Sequence, residues 1–212
     1  ALADTDKLAR RKILGEYLPA ARSAAMADFG GFEPLREHLR RIRQHTLDHL
    51  GLYLARFENE ATANGSQVHY ATDGEELNSS VLEICQQHHA RRIAKGKSMV
   101  TEETGLAGHL QRAGLEVVET DLGEYITQQA GETPSHIVGP ALHKSVDDIR
   151  ELFFDKHELG QRDLDGPADM VAEARGVLRE HFLQADVGII GANALVAENG
   201  YSLLVTNEGN GD

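Results

Sequence analysis

Apolar residues recur along this chain in three rhythms, each predicting a different kind of element. Leu35, Leu39, Ile42, Thr46, Leu50, Leu54 and Phe57 step by three and four, which predicts one long helix over 33–63, with Arg36, Arg40, Arg41, Arg43 and Glu58 on its other faces. An earlier helix is expected over 4–26, interrupted at Pro19 and closed by Gly30 and Gly31. Residues 1–63 thus read as a helical N-terminal arm, able to pack on its own domain or to join two copies into a homo-oligomer.

From Gly65 the rhythm changes to short apolar runs alternating with amphipathic helices, the pattern of an α/β domain over 64–212. Gln67 to Ala71 alternates as a strand would, and Asp73 is placed to cap a helix carrying Leu77, Val81, Ile84 and Cys85 on one side. A strand then leads to Lys97, Ser98 and Thr101 at the mouth of a helix over 102–113, and Leu115 to Glu119 reads as the next strand. His136 to Val138 is a further short strand. Ser145 with Asp148 has capping-box spacing for a helix bearing Ile149, Leu152 and Phe153, while Pro167 opens another through Val171, Ala174, Leu178, Phe182 and Leu183. The third rhythm closes the chain: Val187 to Ile190, Ala194 to Ala197 and Ser202 to Val205 are apolar runs bounded by Gly and Asn, and read as buried strands. The fold class expected is an open mixed or parallel sheet flanked by helices.

Charge and cysteine usage narrow the chemistry. A formal net charge of -13, from 21 basic and 34 acidic residues, argues against nucleic acid or an anionic membrane as partner. No apolar run is long enough to span a membrane, and the start of the chain lacks the apolar core of a signal peptide, so the cytoplasm is the expected compartment. One cysteine, Cys85, excludes an internal disulfide and a cysteine-ligated cluster within these residues. His88 and His89 suit the end of their helix by charge, and no metal site is expected in this chain.

Polar residues gather where strands end, and there the candidate site is placed. It comprises Lys97, Ser98, Thr101 and Glu102; Asp121 and Glu124, which straddle Gly123; His143 in a loop; and Gly191, Asn193, Asn199, Thr206, Asn207, Glu208, Gly209 and Asn210 near the chain's end. A Lys-Ser pair at a helix N-terminus can hold an anion such as a small carboxylate, although Glu102 and Glu103 weaken phosphate binding there. The alternative is structural: Ser98 or Thr101 caps the helix and Lys97 pairs with Glu102 or Glu103. Two carboxylates three apart, Asp121 and Glu124, can serve acid–base chemistry or merely cap a helix.

Lys97–Ser–Met–Val–Thr–Glu–Glu, Val117–Val–Glu–Thr–Asp–Leu–Gly–Glu–Tyr–Ile126, Pro134–Ser–His–Ile–Val–Gly–Pro–Ala–Leu–His–Lys144, Gly191–Ala–Asn with Ala197–Glu–Asn–Gly, and Val205–Thr–Asn–Glu–Gly–Asn–Gly211 resemble, in this order, the lactate-utilization (LUD) domain of the lactate utilization protein B type. The resemblance covers about residues 30–211. It implies an α/β fold like that of the ribose-phosphate isomerase and CoA-transferase group, and a cytoplasmic subunit of a three-part system oxidising L-lactate to pyruvate. It also implies a following ferredoxin-like segment whose cysteines bind four-iron four-sulfur clusters, and the other subunits of the complex as partners. The chain departs from that pattern by having one cysteine and stopping after Asn–Glu–Gly–Asn–Gly, so it is expected to be a piece of a longer protein, with electron transfer outside it. A narrower resemblance links Ala197–Glu–Asn–Gly to the Ser-Glu-Asn-Gly motif of class I CoA-transferases, which would make Glu198 a catalytic nucleophile toward an acyl-CoA. A non-catalytic docking domain is the third alternative.

Overall fold

The computed structural model describes residues 5–135, 139–206 and 209–211, with only the backbone described for 5–11, 13 and 14. The chain divides into two compact bodies, the first running to Val68 and taking back Leu195–Ser202, the second from His69 to Ala194 and again from Leu203 on.

The first body is helical: α1 (Thr5–Phe29), α2 (Phe32–Asp48) and α3 (Leu50–Ala63). Pro19 lies inside α1 without ending it, contrary to the expected interruption, because the hydrogen bonds on either side carry the helix past the one that proline cannot donate. The single helix expected over 33–63 is instead two, parted at His49, whose φ of -127° leaves the helical range. Leu35, Leu39 and Ile42, on the expected apolar face, remain exposed, and α2 buries no residue. Returning late in sequence, the turn after β4 (Ala194–Val196) brings Gly200 against α3 before β5 (Tyr201–Leu203), with which β4 pairs. Gly200 has a φ of 71°, and a Cβ there would sit 2.3 Å from the backbone nitrogen of Ala61, so only glycine fits on both counts. Asn64 Nδ2 fastens this turn by donating to the Asn199 carbonyl at 2.8 Å. β4 and β5 lie where apolar runs were expected, but Leu195, Tyr201 and Leu203 are exposed; a strand pair three residues long covers neither of its faces.

The second body is a helix–sheet–helix sandwich. Its parallel sheet has the order β2 (Glu116–Glu119), β1 (Arg92–Lys95), β3 (Val187–Ile189). Successive side chains of a strand point to opposite faces. Ile93 and Val117 therefore meet Cys85 of α4 (Gly74–Gln87) and Leu106 and Leu110 of α6 (Leu106–Arg112) on one side. On the other, Val118 packs with Tyr125 and Ile126 of α7 (Leu122–Gln129), Phe153 of α8 (Val146–Lys156), and Met170, Ala174 and Leu178 of α9 (Pro167–Gln184). The expected caps form: Asp73 accepts from Glu76 N–H, and Ser145 and Asp148 complete a capping box. Gln67–Ala71 is not a strand, since its alternation finds no partner to pair with. The expected strand over 136–138 lies outside the described residues. The outer edge of β2 is occupied by a side chain: Gln128 of α7 donates to Val117 C=O at 2.9 Å and accepts from Glu119 N–H at 3.0 Å. Among the described residues, no helix is long and apolar enough to cross a membrane.

Candidate functional site

Parallel strands all point their C-terminal ends to one edge, and open α/β sheets bind ligands there, at the place where successive connections leave a strand in opposite directions. Here that place lies between β1 and β3, because β2 falls on one side of β1 and the chain then crosses to the other. A small cleft of about 90 Å³ sits there, lined by Gly96 and Lys97 after β1, Asp121 after β2, Ile190 and Gly191 after β3, and Thr206, Asn210 and Gly211 from the terminal loop. A larger one, about 390 Å³, is walled by Lys97, Met99, Glu102, Glu103, Glu124 and Pro134. Lys97 lines both.

Local chemistry explains how these side chains arrive. Ser98 caps the short helix α5 (Met99–Glu103) by accepting from Thr101 N–H, and buried Thr101 donates back to the Ser98 carbonyl, so these two are structural. Gly105, with φ 65°, parts α5 from α6 where one helix was expected. Asp121 caps α7, its Oδ1 accepting from the N–H groups of Gly123 and Glu124, while its Oδ2 lies 3.8 Å from Lys97 Nζ. Lys97 thus faces Asp121 and not Glu102 or Glu103. Gly191 lets the loop after β3 pass the cap: a Cβ there would come 3.2 Å from that of Ser98.

Beneath the clefts lies a charge cluster that sequence reasoning missed. Lys95 ends β1 and Glu119 ends β2, and the two are register partners across the ladder. Lys95 has no exposed surface, and its Nζ donates to Glu119 at 2.9 Å and to Glu102 at 2.8 Å. Glu124, 4% exposed, completes the group, with one carboxyl oxygen from each of Glu102, Glu119 and Glu124 lying within 4.8 Å of the others. Its Oε2 is buried with no hydrogen-bond partner. Burial presses the Lys95 ammonium toward neutrality, but the Glu119 charge and the bonds to both glutamates outweigh it and hold Lys95 above the ordinary lysine range. Burial lifts the Glu119 carboxyl. Burial first, and the Glu119 charge second, push Glu124 up to about 8. Three hard carboxylate ligands can hold a cation, and here the Lys95 ammonium already supplies a positive charge to two of them. Strands ending in opposite charges, Arg–Ile–Ala–Lys95 and Glu–Val–Val–Glu119, are the trace that would have shown the pair in sequence.

The remaining candidates fall in three places. Asn193 and Asn210 tie down the terminal loop, Asn193 Oδ1 accepting from Val205 N–H at 2.8 Å and Asn210 Nδ2 donating to the Thr120 carbonyl at 3.2 Å, while Thr206 lines the small cleft. Gly209 is an exposed left-handed turn residue, and Asn207 and Glu208 lie outside the described residues. His143, with Lys144, clasps Glu132. Glu198 and Asn199 belong to the first body, in the turn that packs on α3 and is held by Gly200 and Asn64, and Glu198 is exposed.

The family model for the LUD domain matches residues 54–212. Over 197 residues the chain is 45% identical to lactate utilization protein B of Bacillus velezensis, a match covering 92% of this chain and 41% of that protein. Proteins of the same name from Bacillus pumilus (46% over 198 residues, 93% and 41%) and Bacillus subtilis (43% over 197 residues, 92% and 41%) are similarly close. The chain therefore spans about two fifths of the length of these curated relatives. No solved structure matches it.

Proposed function

This chain belongs to the LUD-domain family, and from that premise we propose that it is the LUD part of a protein of lactate utilization, holding a small carboxylate at the strand-end clefts beside Lys97. In this reading the whole protein is a cytoplasmic subunit of the system that oxidises L-lactate to pyruvate, and it works assembled with the other subunits. The uncovered Leu35, Leu39 and Ile42 of α2 support such assembly. Iron–sulfur clusters do not fit these residues, because Cys85 is fully buried and supplies one thiol where a cluster needs several. Four-iron four-sulfur clusters belong, in this proposal, to parts of the protein outside the 212 residues.

One observation carries the reading: Lys97 presents an ammonium to both clefts, makes no hydrogen bond among the described residues, and has its nearest carboxylate 3.8 Å away. A cation so placed is poised for an anion from solution. Acyl transfer at Glu198 gains nothing comparable, since an exposed turn carboxylate lacks the desolvation that makes a carboxylate nucleophilic. Calorimetric titration with lactate and pyruvate tests the proposal. The wild type should bind, and Lys97→Ala should weaken binding by about 1.5–3 kcal/mol, the range for a lost hydrogen bond to a charged group. No binding by the wild type, or equal binding by the variant, rejects it.

A further inference from the structure

We propose that the exposed face of α2 is the docking site for an amphipathic helix of another protein, one whose apolar stripe is bordered by carboxylates. The proposal deepens the reading that this protein works assembled with others and rests on it, while the carboxylate site beside Lys97 does not depend on it.

The first body is short of a core. Among its described residues Ala61 is the one buried apolar side chain, and α2, 17 residues long, buries none. A helix of that length gains most of its stability by packing an apolar face. On α2 that face is uncovered: Leu35, Leu39 and Ile42 are 54%, 47% and 49% exposed, and with Thr46 they step by four, three and four, the heptad spacing of a seam between two helices. Thr46 continues the seam without an unmet polar group, since its hydroxyl donates to the Ile42 carbonyl at 2.9 Å.

Charge says what the seam fits. Going round the helix at about 3.6 residues per turn, Arg36 and Arg43 fall along one border of the seam and His38 and His45 along the other, while Glu33, Glu37 and Asp48 lie on the far side. No carboxylate stands on either border. Arg36 leans back to Glu33, 2.8 Å away, and Arg43 has no ion pair among the described residues. A second α2 laid on this seam would meet Arg36 and Arg43 with arginine or histidine and never with a carboxylate. The acidic outward face of α8 in a second copy fits no better, because Asp147, Glu151 and Asp155 there surround the single exposed Phe154 where a seam needs a row. An anionic membrane is also a poor match: three acids back the seam, and the chain carries a net charge of -13. A helix with glutamate or aspartate on both borders pairs with Arg36 and Arg43 while its stripe covers Leu35, Leu39 and Ile42.

Fluorescence anisotropy with two labelled three-heptad peptides reads this out; both carry leucine at the two inward positions, and one has glutamate on its borders where the other has lysine. The wild type should bind the glutamate peptide at least about tenfold tighter than the lysine peptide, since each border pair changes from attraction to repulsion. Arg36→Glu with Arg43→Glu should reverse that order. Leu39→Ser with Ile42→Ser should abolish binding with little change in melting temperature, because α2 buries no residue. No binding of the glutamate peptide, or equal binding of the two, overturns the proposal. So does a dimer in sedimentation equilibrium that Leu39→Ser with Ile42→Ser dissociates, which would make the occupant a second copy. Binding to mixed phosphatidylserine and phosphatidylcholine vesicles that the same variant loses overturns it too, in favour of a membrane. Lactate titrations on the same proteins keep the two readings apart, since a failed peptide leaves the binding of acids at Lys97 as it was.

Discussion

Replacing Lys95 by methionine isolates the energetics of the charge cluster. The substitution keeps the stem's volume and removes an ammonium that donates to Glu102 at 2.8 Å and Glu119 at 2.9 Å with no exposed surface of its own. The two partners suffer unequally. Glu102 has a side chain 38% exposed, so water takes over and little is lost; Glu119, at 8%, is left a buried carboxylate without a counter-charge. Stranding one member of a buried pair costs about 3–5 kcal/mol, and that range applies here because Glu119 alone sets it. Protonation offers Glu119 an escape that becomes easier as pH falls, so the loss should be largest at pH 7 and above and smaller at pH 5. Urea unfolding followed by far-ultraviolet circular dichroism at both pH values measures it. Adding Glu119→Leu to Lys95→Met should recover most of the loss, since an apolar replacement of both partners removes the stranded charge. A cost at pH 7 below about 1 kcal/mol, or a double variant no more stable than the single one, would refute the assignment of Lys95 as counter-ion to a buried Glu119.

Two further perturbations bear on the same structure. Glu124 has a folded-state value of about 8 against an ordinary 4.5, so in that interval the folded protein binds the proton more tightly than the unfolded chain and stability falls as pH rises through it. Glu124→Gln, which does not titrate, should flatten the decline in melting temperature between pH 5 and about 8, and parallel profiles for the two proteins would count against a buried carboxyl beside the Glu119 charge there. Gly200→Ala forces a Cβ into the backbone of α3 and a residue with a side chain into left-handed φ, for about 1–3 kcal/mol or more, and should speed amide exchange around Ala61 and Asn64; an unchanged exchange pattern would show that the turn does not pack there.

What could be read from sequence was local. Asp73, Ser98, Asp121 and Ser145 each cap the helix that follows them because a cap depends on residues two and three positions away, all in view along the chain. Cys85 and Phe153 fall in the core for the same reason: helical spacing alone puts them on an apolar face. What was misread depended on distant partners. Gln67–Ala71 alternates like a strand but pairs with nothing, and the apolar runs of β4 and β5 make strands without burying them. No local pattern marks Lys95, because its neutralising partner lies 24 residues on, and only the register of β1 against β2 brings Glu119 beside it. The clustering of Lys97, Asp121 and Gly191 at the strand ends was legible, since it needs only that the strands run parallel; the docking of the turn that carries Glu198 on α3 was not, because it depends on Gly200 meeting Ala61.

The Gln128 amide carries a consequence for how this sheet meets other chains. An edge strand presents a row of unmet N–H and C=O groups that any extended peptide can zip onto, the usual route to domain swapping and fibril growth. On β2 two of those groups, Val117 C=O and Glu119 N–H, are spoken for by a side chain from the same domain. An invading strand would have to evict Gln128 before forming its second rung, so this border is a poor template for aggregation. The same clasp leaves α7 unable to slide along the sheet, which fixes the depth at which Asp121 and Glu124 stand in the clefts.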